Sequence, residues 1–395
     1  MIFIRKIKIN KMNKTFSLIA MIFLFTISRI TFPQGELPVK VISKIDSLFS
    51  NFNKSNSPGY AIGIFNDTTI AFAKGYGFAN LEYNIPITPE TSFNLASLSK
   101  QFTAACLALL ILDGKVSLED NIKKYIPELP DYIYPVKIKH LVYMTSGIPE
   151  YFNLPRKSGL AWNPYYYFTI DTAIEASLKT MKLEYKPGTA WSYSNINYML
   201  LTKIIEEVSG KSFACFAEEK LFKPLGMKST LVNDDITEII KNRAVGYVQR
   251  NQKNLNAFLK TGMKLDNDSD LIQVHRNSPH YGGSGVYSTI KDLFLWNKNW
   301  YTHQFGGQPF YDLMHKRIKF DHPKDNDAFG LVFGNYNGAE TVWYAGSDLG
   351  FSTFMIRFPE QKFTIVCLSN LDDGNAQNYA MKIIEILTRS GIFKL

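Results

Sequence analysis

The chain has 395 residues, and its 46% hydrophobic and 20% charged content is the composition of a folded protein with a substantial core. Its net charge of +9 comes mostly from the first 34 residues, which carry six basic side chains and no acidic one and leave 38 basic against 35 acidic side chains elsewhere. This near balance, without an Arg-rich stripe, excludes nucleic acid from the expected partners.

The N-terminal segment, residues 1–34, has the pattern of an export signal. A basic start is followed by 12 residues from Phe16 to Ile27 that are mostly apolar, and by a polar exit near Pro33. This length suits a signal-peptide core and falls short of the roughly 20 residues that span a bilayer. No small-x-small cleavage site stands out, so an uncleaved membrane anchor is the alternative. We expect an exported protein, periplasmic or extracellular.

The next patterns predict a helix and then a pair of strands. Apolar residues have helical spacing over 39–52. Two apolar runs, 59–65 and 68–75, flank Asn66-Asp67 and predict a hairpin.

The first motif with a chemical meaning is Ser97-Leu98-Ser99-Lys100, which precedes the apolar run 102–112. Residues at i and i+3 share one helix face, so Ser97 is expected beside Lys100 and near the positive end of the helix. A serine is a weak nucleophile at its free pKa, and a lysine desolvated among apolar neighbours can act as its base. The motif therefore indicates nucleophilic catalysis.

A second motif, Tyr193-Ser194-Asn195, follows a Pro-Gly turn and precedes a helical pattern over 196–208. Catalytic groups concentrate on such connections. A tyrosine hydroxyl can relay a proton, and an asparagine amide both donates and accepts. Taken alone, the triplet is equally typical of a packed tyrosine and a turn asparagine.

The Ser-x-x-Lys spacing recurs at Ser288-Thr289-Ile290-Lys291. Here Ser288 precedes an acidic first turn at Asp292, which is the pattern of an N-cap and an ordinary helix. We interpret this copy as structural.

A third motif, Trp343-Tyr344-Ala345-Gly346-Ser347-Asp348-Leu349-Gly350-Phe351, lies between strand-like runs. Gly346, like Gly350 beyond it, allows a backbone to approach a ligand closely. A strand that passes the nucleophile can offer an N–H group to a developing oxyanion. The alternative interpretation is a glycine-rich hairpin.

The C-terminal patterns predict strands over 351–358 and 362–368 and a helix over 379–388. Strands near both ends with helices between them indicate a discontinuous sheet. The predicted parts are a sheet subdomain, about 35–96 and 285–395, and a mostly helical subdomain, about 97–284.

In order and spacing, the three motifs resemble the serine β-lactamase and penicillin-binding-protein-like hydrolases, in the branch with class C β-lactamases, D-alanyl-D-alanine carboxypeptidases and esterases. Supporting stretches lie at 114–120, 140–148, 187–189, 224–227 and 282–288. The resemblance runs from about Pro38 to the C-terminus. It implies an α/β (α+β) fold, with an antiparallel sheet flanked by helices plus a helical subdomain, in one hydrolase domain over 35–395.

The resemblance implies a role for each motif residue. Ser97 would be the nucleophile, Lys100 would help to deprotonate it, and Tyr193 would act as base or proton relay. Asn195 would orient the substrate or Lys100. The backbone N–H groups of Ser97 and Ser347 would form the oxyanion hole, with Gly346 beside them at the substrate.

One position departs from the family pattern. The third motif normally begins with Lys or His, which helps to bind a substrate carboxylate, whereas this chain has Tyr344. With a phenol pKa of about 10, a tyrosine donates a hydrogen bond but supplies no positive charge near neutral pH. We therefore expect an exported serine hydrolase that tolerates neutral ester or amide substrates, with cell-wall peptides among the candidates.

Other functions are less well supported. An α/β-hydrolase requires Gly-x-Ser-x-Gly, and the stretch Gly282 to Val286 fails at its last position. A β-lactamase, or a non-catalytic binding protein on the same fold, are the remaining alternatives. We expect no cofactor or metal, because the nearest histidine pair, His275 and His280, does not share a helix face. Membrane contact is expected only through an uncleaved N-terminal segment.

Overall fold

The computed structural model describes residues 37–53, 56–153, 169–180, 182–252, 254–255, 269–275, 280–318 and 327–394. The strands are β1 (Tyr60–Asn66), β2 (Thr69–Tyr76), β3 (Phe78–Asn80), β4 (Ile85–Pro86), β5 (Phe93–Asn94), β6 (Leu231–Val232), β7 (Gly246–Gln249), β8 (Leu271–Val274), β9 (Val286–Ser288), β10 (Val332–Tyr336), β11 (Ala339–Asp348), β12 (Phe351–Phe358) and β13 (Phe363–Ser369).

The α-helices are α1 (Val39–Leu48), α2 (Lys100–Leu112), α3 (Ile138–Val142), α4 (Ile170–Thr180), α5 (Asn195–Ser209), α6 (Phe213–Ala217), α7 (Lys223–Leu225), α8 (Ile290–Thr302), α9 (Gly307–Met314) and α10 (Ala376–Arg389). A π-helical turn, Glu218–Phe222, joins α6 to α7. Short 3₁₀ turns lie at Ser50–Asn53, Ala96–Ser99, Ile122–Lys124, Asp131–Ile133, Tyr151–Asn153 and Asp372–Gly374.

A six-stranded antiparallel sheet organises the fold, with the strand order β10-β11-β12-β13-β1-β2. Strand β13 pairs with β1, with Tyr60 opposite Ser369, so segments from opposite ends of the described chain become neighbours. The hairpin predicted from the first pair of apolar runs is confirmed as β1-β2, and the two predicted C-terminal strands pair with each other as β12-β13.

The sheet is covered by helices on both faces. Alternate residues of β13 enter two cores: Ile365 and Cys367 pack with residues of α1 and α10, whereas Val366 and Leu368 join the core that contains α8. A strand buried on both sides favours apolar residues on both of its faces, which explains why five of the seven residues of β13 are apolar. Its two polar residues, Thr364 and Ser369, are buried with hydrogen bonds to Asn297 and to the Gly59 carbonyl oxygen.

Helix α2 is the buried centre of the helical part. Every residue from Lys100 to Ala108 is buried, and the helix packs against α5 and α9. A helix that is enclosed on all sides has a fixed position. The turn at its N-terminus, which carries Ser97, is therefore anchored to a rigid element.

The predicted fold class is confirmed, because an antiparallel sheet flanked by helices is joined to a mostly helical part. The proposed subdomain boundaries stay predictions, and the predicted leader, residues 1–34, lies outside the described residues. Within the part of the chain that the structure describes, no helix combines the length and the apolar character needed to cross a membrane.

Candidate active site

Ser97 lies on a tight turn between β5 and α2. The residue before it, Ala96, has a left-handed backbone with φ of +50°, which is unfavourable for a residue with a Cβ atom. The Asn94 Oδ1 atom accepts a hydrogen bond from the Ala96 N–H at 2.9 Å and holds this conformation. The strained turn, supported by Asn94, sets the position of Ser97.

The Lys100 ammonium lies at the centre of the site and is fully buried. Its Nζ donates to Tyr193 Oη at 2.6 Å, to Asn195 Oδ1 at 2.7 Å and to Ser97 Oγ at 3.2 Å. The carbonyl oxygen of Gly283 is a fourth acceptor, at 2.6 Å. The structure thus brings the four candidate site residues of the first two motifs, Ser97, Lys100, Tyr193 and Asn195, into one hydrogen-bonded cluster.

Burial changes the acid-base chemistry of Lys100. Removal from water lowers the pKa of this amine to about 7, and the nearby carboxylates of Glu150 and Asp348 partly oppose the shift. A substantial fraction of the amine is therefore neutral near pH 7. In that form it can accept a proton from Ser97.

Tyr193 bridges the nucleophile and the lysine. A hydrogen bond of 2.7 Å joins its hydroxyl to Ser97 Oγ. Burial raises the pKa of Tyr193 above its ordinary value, and the bond to Ser97 opposes this shift only in part. The phenol is therefore neutral at physiological pH, and the arrangement suits a proton relay better than a phenolate base.

Asn195 is the first residue of α5. Its amide oxygen faces Lys100, whereas its Nδ2 and its backbone N–H donate to Glu150 Oε2 at 3.2 and 2.6 Å. Burial raises the pKa of Glu150, against the opposing effects of the Asn195 bonds and Lys100. No sequence motif pointed to Glu150, although it follows the family-like stretch 140–148 by two positions.

Strand β11 passes directly against the nucleophile turn. A Cβ atom on Gly346 would lie 2.6 Å from the Leu95 carbonyl oxygen, so this close approach requires glycine. Among the described residues, β10 pairs with β11 only as far as Trp343. Beyond that point no strand pairs with this edge of β11, which includes Ser347. The predicted strand beside the nucleophile is present.

Tyr344 lies at the start of this open stretch. Burial raises the pKa of its phenol well above the ordinary value, with Tyr193, Tyr198 and Asp327 adding to the shift. Asp327 in turn accepts a hydrogen bond from Trp191 Nε1 at 2.7 Å. Of the described residues that shift this pKa, Asp327 contributes negative charge and none contributes positive charge, at the position where the family pattern has Lys or His.

A polar network joins β11 to the nucleophile turn. Asp348 Oδ2 accepts from Ser284 Oγ at 2.7 Å and from Asn94 Nδ2 at 3.2 Å, and His280 Nδ1 lies 3.9 Å from the same oxygen. Because Asn94 also supports Ala96, the network ties the two sides of the expected oxyanion hole together. Sequence patterns carried no signal for Asn94, and they assigned no role to Asp348, although it lies in the third motif.

The second Ser-x-x-Lys copy is structural, as interpreted, but its cap was misplaced by one residue. Ser288 ends β9, and its hydroxyl bonds to Thr230 at 2.8 Å. Thr289, not Ser288, is the N-cap of α8, because its side chain accepts from the Asp292 N–H. Lys291 pairs with Glu90 at the surface.

Known proteins share this architecture. The model of the Beta-lactamase family matches residues 45–388. A penicillin-binding protein of Bacillus subtilis is 28% identical over 334 residues, covering 80% of this chain and 70% of that protein. The D-aminopeptidase of Gluconobacter oxydans is 24% identical over 314 residues, and this chain covers only 56% of its length.

Two solved structures show the same fold. The octameric penicillin-binding protein homologue from Pyrococcus abyssi superposes with a TM-score of 0.73 at 26% identity, covering 88% of this chain and 77% of that one. The D-amino acid amidase from Ochrobactrum anthropi, complexed with D-phenylalanine, gives a TM-score of 0.72 at 21% identity, covering 89% and 99%. With the family match over most of its length, the chain belongs to the Beta-lactamase family and is a serine hydrolase that acts through an acyl-enzyme.

Proposed function

We propose that the protein hydrolyses amide or ester bonds in small or peptide acyl donors that need no free carboxylate, with D-amino acid amides, D-peptides and neutral esters as candidate substrates. The observation that carries the proposal is the cluster in which Lys100 Nζ lies 3.2 Å from Ser97 Oγ and 2.6 Å from Tyr193 Oη. The similarity to a D-aminopeptidase supports this substrate class.

Acylation follows from the positions of these groups. Ser97 Oγ attacks the substrate carbonyl carbon while its proton passes to neutral Lys100, directly or through the Tyr193 hydroxyl. The N–H groups of Ser97 and Ser347 stabilise the oxyanion that forms. The tetrahedral intermediate then expels the amine or alcohol, which takes a proton back from the Lys100 and Tyr193 pair, and leaves an ester on Ser97.

Deacylation reverses the same proton path. A water molecule attacks the Ser97 ester and passes a proton to Lys100 through the Tyr193 hydroxyl. Lys100 then returns this proton to Ser97 Oγ as the acyl group leaves, which restores the Ser97 hydroxyl. Each step moves one proton between the same three side chains, so no additional acid or base is needed.

Tyr344 supports the preference for neutral substrates over β-lactams and D-alanyl-D-alanine carboxylates. A carboxylate placed beside this phenol would find a hydrogen-bond donor that carries no positive charge, and Asp327 nearby would oppose it. The β-lactamase alternative is therefore the weaker one.

Kinetics on a matched substrate pair test this preference. We expect kcat/KM for an acyl-D-alanyl-D-alanine methyl ester to equal or exceed that for the free acid. Tyr344→Lys should move the ratio toward the free acid by roughly tenfold or more, as a charged hydrogen bond of about 1.5 kcal/mol or more would do. Tyr344→Phe, which adds no charge, is the control. A strong preference of the wild type for the free acid would contradict the proposal.

Export through residues 1–34 is part of the proposal, supported by the basic start and the apolar stretch. Fusion of this segment to a reporter that is active only outside the cytoplasm should give activity. A matched fusion with Leu18→Arg and Leu24→Arg should not. Activity of both fusions, or of neither, would argue against export by this segment.

A further inference from the structure

Glu150 is a carboxylate inside the site that acts on none of the reacting atoms directly. It lies after α3, at the start of the turn that leads into Tyr151–Asn153. Its Oε2 accepts from the backbone N–H and from Nδ2 of Asn195, and its Oε1 faces the Phe152 N–H at 3.5 Å. The hydrogen bonds of Glu150 thus go to the partner of Lys100 rather than to Ser97 or Lys100.

The contact decides which end of the Asn195 amide faces the lysine. An asparagine amide has one accepting oxygen and one donating nitrogen, whereas an ionised carboxylate only accepts. Glu150 therefore selects the nitrogen and leaves the oxygen to accept from Lys100 Nζ at 2.7 Å and from Tyr193 Oη at 3.2 Å. A reversed amide would direct its Nδ2 donor at the ammonium of Lys100, which is itself a donor.

The same carboxylate balances charge in the interior. The direct acceptors of Lys100 Nζ are neutral, and Tyr198 adds a ring face at 5.7 Å. The carboxylates that favour the protonated form of Lys100 are Glu150 and Asp348, and His280 lies 3.9 Å from the latter. When Lys100 takes the proton of Ser97, these two carboxylates lie near enough to offset its positive charge.

We propose that Glu150 is a positioning residue of this site: its carboxylate holds the Asn195 amide oxygen toward Lys100 and offsets the positive charge that Lys100 acquires during acylation. The inference rests on the proposed serine hydrolysis. It extends the site from the three sequence motifs to a buried acid that the motifs do not include.

Three substitutions separate the two parts of this role. Glu150→Gln keeps an acceptor oxygen for Asn195 and removes only the charge. Glu150→Leu removes both, and Glu150→Asp keeps the charge. Glu360→Gln, the same change on the exposed turn between β12 and β13, is the matched control. The readouts are the rate of Ser97 labelling by an alkyl fluorophosphonate as a function of pH, and kcat and KM on a neutral ester.

We expect Glu150→Gln to move the acidic limb of the labelling profile to lower pH by about one unit, because loss of a nearby negative charge disfavours the protonated amine. Glu150→Leu should reduce the labelling rate and kcat by roughly 10- to 100-fold with little change in KM. Loss of a residue that orients a functional side chain by a hydrogen bond has an effect of this size in metal sites. Glu150→Asp should keep the wild-type limb, and Glu360→Gln should match the wild type.

If the acidic limb of the labelling profile lies at the same pH in Glu150→Gln as in the wild type, the inference is wrong. It is also wrong if the substitutions change only KM, and only for substrates that carry an ammonium group, because Glu150 would then contact the substrate. If Glu150→Leu does not fold, the nearly isosteric Glu150→Gln decides. Wild-type protein that is not labelled at all would count against the proposed function itself, which keeps the two failures distinct.

Discussion

At the scale of single residues, the chemistry depends on where Lys100 is buried rather than on its presence. A lysine in water holds its proton until about pH 10.4, whereas the enclosed Lys100 has a pKa of about 7. Its neighbour Tyr193 shifts in the opposite sense, because burial disfavours the charged form of each group. The two shifts support the proposed mechanism, in which Lys100 is the base and Tyr193 is the relay.

These pKa shifts predict how activity varies with pH. A base must be deprotonated to act, so kcat/KM on a neutral ester should rise as pH passes through about 7, the pKa of Lys100, and then level off. Lys100→Arg, which stays protonated, should lose roughly 100-fold or more. Lys291→Arg, in the second Ser-x-x-Lys copy, should leave the profile unchanged. A flat profile, or an active Lys100→Arg variant, would exclude Lys100 as the base.

At the scale of secondary structure elements, the site depends on how closely β11 approaches the turn before α2. Gly346 provides that approach, because its missing side chain leaves room for the Leu95 carbonyl and for Ala96. Thr353 on the neighbouring strand adds a hydrogen bond of 2.8 Å from its hydroxyl to the Leu95 carbonyl. The strand and the turn are thus held as one unit around the expected oxyanion hole.

Gly346→Val tests this approach. The added side chain should displace β11 from the nucleophile turn and reduce kcat roughly 100-fold or more, the effect of losing one oxyanion donor. Gly210→Ala is the control: the position is open, but its φ of +68° makes alanine cost about 1 kcal/mol of stability. That variant should unfold earlier in a thermal melt and keep its kcat. A fully active, folded Gly346→Val would refute the role of the close approach.

Whether a contact in this site can be predicted from sequence depends on how many positions separate the two residues along the chain. Ser97 and Lys100 are three positions apart on one turn, so their contact follows from helix geometry alone. Asn94 and Asp348 are 254 positions apart, and Glu150 and Asn195 are 45 apart. Local spacing carries no information on such pairs, which form only when the sheet and helices pack, and they were therefore missed.

At the scale of the whole molecule, the sheet joins the two ends of the described chain, and the helical part lies between them in sequence. Apolar patterns predicted the β1-β2 hairpin and the two strands that pair as β12-β13, because apolar runs of this length indicate buried strands. Strands near both ends of the chain indicated a discontinuous sheet, but the specific pairing of β1 with β13 had no local signature. This pairing is what assembles the sheet against which the nucleophile turn is held.

The central claim is that Ser97 is an activated nucleophile. Intact mass measurement after incubation with an alkyl fluorophosphonate, followed by peptide mapping, tests it without assuming a substrate. We predict one adduct per chain, on Ser97, in the wild type and in Ser288→Ala, and none in Ser97→Ala. A folded wild-type protein that remains unlabelled, or an adduct on another serine, would contradict the account and favour a non-catalytic binding protein on the same fold.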